Sequence, residues 1–378
     1  MKSPVVVGVG AAIAVAALLT IVASKALPAP HAPVVSEPLL SLPSTNSIEK
    51  VATTTTASTV AAATSTKKDA GAAAAPAGAS PAPAPVVPPA KPIATQAQLN
   101  AAAARLSSAI VNILCSPKED SDTLHAISGS GVIIDPKGII LTDAHIGQFF
   151  LLEHGVPNQD AYECIIRTGS PAEVAYEADA VYVSSAWIQD NPSVIIEDQP
   201  LGTGEHDIAL LAIDGSATRA PLPSSFPYVP LAQDAPDTGD QVIIGSYAAQ
   251  FLDASNIRSD LTSTIVYTTV KDIFTFYQDT VDIVSLGGSV AAQEGSSGGG
   301  VVNPNAQLVA LVTTSTVEGD LTKRELNAIT APYIRRVIAA DTGSDVDSYL
   351  SQSVTSLVSE YSHLAGYLAN ILVEQINQ

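Results

Sequence analysis

An all-β fold of barrel or sandwich type is what this sequence predicts, and three observations carry that expectation. Short apolar, β-branched runs recur from Gly131 onward. Clusters of Pro, Gly, Asn and Asp punctuate them. No clear helical pattern separates one run from the next, and no repeat of fixed period is visible. Many short strands without crossovers close into barrels or stack as sandwiches.

The runs come in order. Gly131-Val132-Ile133-Ile134 meets Asp135-Pro136-Lys137-Gly138 and then Ile139-Ile140-Leu141-Thr142. Pro presets φ and Gly accepts positive φ, so the stretch reads as a hairpin. Further strands are expected at Tyr162 to Arg167, Ala180 to Val183, Ile208 to Ile213, Val242 to Gly245, Ser263 to Thr269 and Val281 to Ser285. Val301-Val302, the turn Asn303-Pro304-Asn305 and Leu308 to Thr313 form a second hairpin. Helices are expected before the strands, at Gln96 to Ser107, and after them, at Ala331 to Ala340. The last segment, 342–378, carries Leu350, Val354, Leu357, Tyr361, Leu364, Leu368 and Ile371 at spacings of four and three. That is one apolar stripe on a helix. Packing on its own domain is the favoured reading, with a homo-oligomeric contact as the alternative.

Residues 1–26 read as a transmembrane anchor or a signal peptide. Pro4 to Ala23 is uncharged and mostly apolar, with Lys2 and Lys25 flanking it. About 20 apolar residues suffice to span a bilayer, and a basic end before an apolar run also marks secretion. Residues 27–95 are Ala, Pro, Thr and Ser with few large side chains. Such a segment cannot bury enough apolar surface to offset its ordering entropy, so a disordered linker is expected. The formal charge of −20 falls on the rest of the chain, because the segment before residue 96 has more Lys than acids. This argues against nucleic acid or an anionic lipid surface as the partner of the folded part. Both readings of the amino end place the folded part outside the cytoplasm, at the cell membrane or secreted. In an oxidising compartment Cys115 and Cys164, each in a β-type run, favour a disulfide over two separate buried thiols.

Three elements carry chemistry. Thr142-Asp143-Ala144-His145 follows an apolar strand, which places an imidazole at a strand end, suited to proton transfer near neutral pH. Asp207 leads into Ile208-Ala209-Leu210-Leu211, so its carboxylate can be held at a sheet edge. Glu294-Gly295-Ser296-Ser297-Gly298-Gly299-Gly300 sets two serines in a glycine cluster directly before an apolar hairpin. Glycines allow tight backbone in which N–H groups face a ligand and a serine hydroxyl is presented. Each element alone is weak or has a bland explanation. The ordered trio, each beside a β-run, is far more specific.

These residues resemble a known family. Ser128-Gly129-Ser130-Gly131-Val132-Ile133-Ile134-Asp135 through Leu141-Thr142-Asp143-Ala144-His145 looks like the start of a trypsin-like serine protease of the HtrA/Deg type. Asp207-Ile208-Ala209-Leu210-Leu211 is similar to that family's aspartate strand, and Gly295-Ser296-Ser297-Gly298-Gly299 to its nucleophile loop. The resemblance implies two six-stranded antiparallel β-barrels of the chymotrypsin kind, about 103–225 and 226–340, within a protease domain at 96–341. By position it implies Ser297 as nucleophile, His145 as general base and Asp207 as the acid that orients it. The N–H groups of Gly295 and Ser297 would form the oxyanion hole. The implied function is endopeptidase action on extracytoplasmic proteins or peptides, including protein quality control, with no cofactor or metal.

The sequence also departs from the HtrA/Deg pattern. The 38 residues after Ala340 do not fit a PDZ domain, so gating through one is not expected. Glu294 stands where other residues are usual. The span from Phe149 to Glu205 is long and holds Trp187, the only tryptophan; a lid or substrate-edge loop is expected there. Ala291 and Ala292 are small and no Asp is close by, which points to small or medium aliphatic side chains at the cleaved position. The rival from another class is an inactive binding or adhesion module on the same fold. An α/β-hydrolase would need Asp and His after the serine, and only His363 follows it. His-Glu-x-x-His and paired Cys clusters are absent, so metal catalysis has no support.

Overall fold

Thr95 starts the first helix. Its hydroxyl accepts the Gln98 N–H at 3.3 Å, while the Gln98 side chain accepts the Thr95 N–H at 2.9 Å. This reciprocal cap satisfies two N–H groups that a helix start otherwise leaves unpaired. Helix α1 (Gln96–Ala109) runs straight into strand β2 (Ile110–Pro117), where β-branched residues take over. Its buried face, including Leu99, Ala103 and Leu106, joins the larger of two hydrophobic clusters. The computed structural model describes residues 49–50, 93–119, 124–154, 161–197, 202–277, 279–315 and 319–378. The expected anchor and nearly all of the expected linker lie outside the described residues. Among those described, no helix is long and apolar enough to cross a membrane. A two-residue strand, β1 (Glu49–Lys50), falls inside the segment read as linker.

The first half closes as a barrel. Its strands are β2, β3 (Ile127–Asp135), β4 (Ile139–Thr142), β5 (Tyr162–Thr168), β6 (Glu173–Val183) and β7 (Ala209–Ser216). They hydrogen-bond in the order β2-β3-β4-β7-β6-β5, all antiparallel, and β5 returns to β2. Cys115 and Cys164 face each other across that closing seam and are bonded as a disulfide. Gly131 keeps the interior open, because a Cβ there would lie 2.6 Å from Ile140 Cγ2.

Helices interrupt these strands, contrary to the sequence expectation. Helix α2 (Ala144–His154) lies between β4 and β5. Helix α3 (Ser185–Asp190) and a 3₁₀ turn (Pro192–Ile196) lie between β6 and β7. Phe149, Phe150, Leu151 and Leu152 are all buried. A helix buried on every side shows no amphipathic period, so its sequence cannot be told from a buried strand.

The second half corrects the expectation of two closed barrels. It is an open eight-stranded sheet in the order β1-β10-β11-β14-β13-β12-β8-β9. Its strands after β1 are β8 (Gln241–Ser246), β9 (Thr264–Thr269), β10 (Asp272–Thr275), β11 (Ile283–Ser285), β12 (Gly300–Val302), β13 (Leu308–Ser315) and β14 (Leu326–Thr330), with a short helix α4 (Ala254–Ser259) before β9. Its end strands are β1 and β9, which do not pair; β10, the neighbour of β1, follows β9 directly as the next part of one bent chain. The corner residues spend their N–H groups elsewhere: Val270 on Asp240 O, Lys271 on Ser285 O. The outer edge of β10 is taken by β1, with Lys50 opposite Phe274.

Three helices end the chain: α5 (Ala331–Thr342), α6 (Val346–Leu350) and α7 (Val354–Ile376). Tyr361, Leu368, Ala369 and Leu372 of α7 are buried in the same cluster as Phe149, Trp187 and Ile188 of the first barrel. The apolar stripe therefore packs on its own domain. Leu364 is an exception to the expected stripe: it stays 41 % exposed, while Ala365 packs against the cluster.

Candidate active site

His145 is the second residue of α2 rather than the end of a strand. Strand β4 stops at Thr142, and Asp143 O accepts the Gly147 N–H at 2.8 Å, turning the chain into the helix. The helix start points the imidazole at Asp207. One Asp207 oxygen accepts the His145 backbone N–H at 2.9 Å, and the other meets His145 Nδ1 at 2.8 Å. The second oxygen also accepts the Thr313 hydroxyl at 3.0 Å, a bond from β13 in the other half of the molecule. Burial alone would raise the Asp207 carboxyl; the His145 charge and these hydrogen bonds outweigh it and hold the group below the usual carboxylate range. With a carboxylate on Nδ1, the proton belongs on that nitrogen and Nε2 is left as the basic one.

The turn before β7 sets Asp207 in place. His206 has φ of 58°, a left-handed conformation, and gives its N–H to the Tyr333 hydroxyl at 3.0 Å. This anchors the aspartate loop to α5.

The two adjacent serines face opposite ways. Ser296 is buried and its hydroxyl accepts that of Ser246 at 3.2 Å. Ser297 lines the same cavity as His145, of about 410 Å³. No hydrogen bond joins Ser297 to His145 in this conformation. Gly298, at φ of 81°, permits the turn, and a Cβ there would fall 1.9 Å from Ser130 O.

The backbone N–H groups of Gly295 and Ser297 find no protein acceptor among the described residues. Each belongs to a planar peptide unit whose carbonyl is held: Glu294 O by the Ala249 N–H at 2.8 Å, Ser296 O by the Gly299 N–H at 2.9 Å. In a trans peptide the N–H points opposite the C=O. Two donors are thus fixed and unspent, beside a half-buried hydroxyl.

Residues 129–311 match the family model described as trypsin-like peptidase domain. That stretch is a trypsin-like peptidase domain. A solved structure that matches is the serine endoprotease from Yersinia pestis, with 19 % identity and a TM-score of 0.40 over 66 % of this chain and 67 % of that one. No curated protein matches.

The long span between His145 and Asp207 reaches the site of the peptidase domain. Trp187, Asn191, Val194 and Glu197 line the cavity from α3 and the 3₁₀ turn. Sequence reasoning missed Thr313, which lay unremarked at the end of an expected strand, and the part played by Asp143. The Asp143 carboxylate is fully buried, with Oδ2 at 3.8 Å from His145 Nδ1. Asp143, His145 and Asp207 are the described trio whose ligand atoms come within 4.8 Å of one another, close enough to share a cation. Two of the three are already joined by the 2.8 Å hydrogen bond.

Proposed function

We propose that the peptidase domain is a serine endopeptidase with Ser297 as nucleophile, His145 as general base and Asp207 as the orienting acid. The observation that carries this reading is the two-point hold of Asp207 on His145, which leaves Nε2 basic in the cavity that Ser297 lines. His145 Nε2 takes the hydroxyl proton as Ser297 Oγ attacks a peptide carbonyl. Asp207 stabilises the imidazolium that forms. The oxyanion is met by the N–H groups of Gly295 and Ser297. The imidazolium then protonates the leaving amine, and water, deprotonated by the same nitrogen, releases the acyl group. The Ser297–His145 hydrogen bond forms when substrate settles, since apo geometries at such sites are often loose.

The substrates are proteins or peptides, with small or medium aliphatic side chains at the cleaved position. An extracytoplasmic setting, by anchor or secretion, is supported by the disulfide across the barrel seam and by the apolar amino-terminal run. Within that setting, clearance of damaged proteins is the role proposed.

Fluorophosphonate labelling and hydrolysis of a peptide library test the reading together. Wild-type protein should label at Ser297 and cleave, and Ser297→Ala should do neither. Wild-type protein that neither labels nor cleaves would establish the inactive binding module instead. A cleavage profile dominated by Arg and Lys would overturn the aliphatic preference alone.

A further inference from the structure

Ser130 lies fully buried in β3 of the closed barrel, yet its polar atoms reach beyond the barrel to the nucleophile loop and β8. Its N–H donates to Ser297 O at 2.8 Å. Its hydroxyl donates to Gly295 O at 2.7 Å and accepts the Tyr247 N–H, just past β8, at 2.8 Å. Its carbonyl accepts the Thr142 hydroxyl at 2.8 Å, one residue before Asp143.

Four successive carbonyls of the loop are therefore engaged. Glu294 O is held by Ala249, Gly295 O by Ser130 Oγ, Ser296 O by Gly299 and Ser297 O by the Ser130 N–H. Three of these donors are backbone groups, which any residue supplies. The Ser130 hydroxyl is the one grip that depends on a side chain. It acts at the weakest point, because Gly295 has φ of 86° and no Cβ to limit rotation of the peptides on either side. The Gly295–Ser296 peptide, whose other end donates the Ser296 N–H to Gln293 O at 3.2 Å, lies between the two units that bear the donors, Glu294–Gly295 and Ser296–Ser297. Released at its carbonyl, it can turn and change how the Gly295 and Ser297 N–H groups face each other.

We propose that Ser130 is a positioning residue: its hydroxyl holds the Gly295 peptide so that the Gly295 and Ser297 N–H groups stay convergent on the developing oxyanion. This rests on the reading of Ser297 as nucleophile. The relation is mutual, since Ser130→Ala also strips the Tyr247 N–H of its acceptor.

The experiment compares wild type, Ser130→Ala and Ser130→Cys with a peptide substrate and a peptide aldehyde, whose hemiacetal oxygen uses the same two donors. Losing an oxyanion donor outright costs about a hundred- to a thousandfold in kcat, so a misaligned one should cost on the order of ten- to a hundredfold. KM should change by less than about threefold, since ground-state binding is untouched. The aldehyde inhibition constant should rise in step with the fall in kcat. Ser130→Cys, of similar size but a weak donor, should fall between the other two. Should Ser130→Ala fail to fold, Ser130→Cys carries the test alone. A kcat within about twofold of wild type and an unchanged aldehyde constant would overturn the proposal. A fall traced entirely to a smaller folded fraction, measured by titrating active sites with fluorophosphonate, would overturn it as well. Wild-type protein that fails to label at all sinks the peptidase reading itself, which is a different result from labelled variants with undiminished kcat.

Discussion

Asp143 Oδ2 lies 3.8 Å from His145 Nδ1, the ring nitrogen that Asp207 holds at 2.8 Å. Neither Asp143 oxygen has a hydrogen-bond partner, and the carboxylate is fully buried. The nearby Gly298 N–H is donated to Val312 O. Burial pushes the Asp143 carboxyl well above the usual range, the charge of Asp207 pushes the same way, and the Gly298 dipole offsets only part of this.

That arrangement sets a pH dependence for stability. A carboxyl whose folded pKa is raised binds its proton more tightly folded than unfolded. Stability is unaffected below the ordinary Asp value, about 3.9, and falls as pH rises from there toward the raised folded value. Asp143→Asn removes this titration while keeping the shape. The variant should gain on the parent as pH rises from 4 to 8, by a few degrees in Tm on the order of 1–3 kcal/mol. Thermal melts across that range check it. A constant cost of burying the amide shifts the whole curve but not its slope, so a difference independent of pH would refute the assignment.

The Cys115–Cys164 disulfide joins the first and last strands around the barrel, across 49 positions of sequence. Closing a loop of that length removes entropy from the unfolded chain worth about 4 kcal/mol. Replacing both cysteines by Ala should lower Tm by roughly 10 °C. Both residues are buried, so a thiol reductant should act on the native protein only as fast as the barrel opens. Scanning calorimetry with and without reductant, and a time course of reduction followed by mass, measure the two effects. Prompt reduction of folded protein would contradict the second.

The Tyr361 hydroxyl on α7 accepts the Val183 N–H at 2.9 Å and donates to the Val183 carbonyl at 3.1 Å. Val183 ends β6, and Ser184 then caps α3, which carries Trp187 into the cavity. Tyr361→Phe leaves both backbone groups buried and unpaired, at a cost of about 2 kcal/mol. Tm should fall by several degrees, and the emission of Trp187, the only tryptophan, should shift to the red as α3 loosens. A Tm loss with unchanged emission would show that α7 supports the barrel without reaching the cavity.

Much of this site was legible because its chemistry is local in sequence. Ser297 sits among glycines, His145 follows an apolar strand and Asp207 leads one, and each signal needs only a few neighbours. Choosing Ser297 over Ser296 rested on register; the structure adds that Ser296 is turned inward against Ser246. Thr313, Ser130 and Arg324 were not legible, since what each does depends on groups over a hundred residues away or on loops with no pattern of their own. The open second sheet was hidden for a related reason: nothing in the pattern from Thr264 to Thr275 distinguishes a ladder partner from the next stretch of a bent strand. The helix α2 was missed because total burial erases the period that would mark it.

Arg324 is 4 % exposed and ties three loops beside the oxyanion donors. Its Nε and Nη2 donate to Gly319 O at 3.3 Å each, and Nη1 donates to Ala292 O at 2.8 Å and to the Gln250 side chain. All of these acceptors are neutral oxygens, so the guanidinium is held by geometry rather than by a counter-charge. Ala292 lies three residues before Gly295, and Gln250 follows Ala249, whose N–H holds Glu294 O. Lysine keeps the charge but cannot span the fork with one flexible ammonium. Arg324→Lys should therefore loosen the loops more than the core. The expected result is faster hydrogen exchange in 289–294 and 319–325, a stability loss of about 1–2 kcal/mol and a fall in kcat of roughly tenfold. Exchange at wild-type rates in both segments, with activity retained, would mean that the loops hold their shape without the arginine.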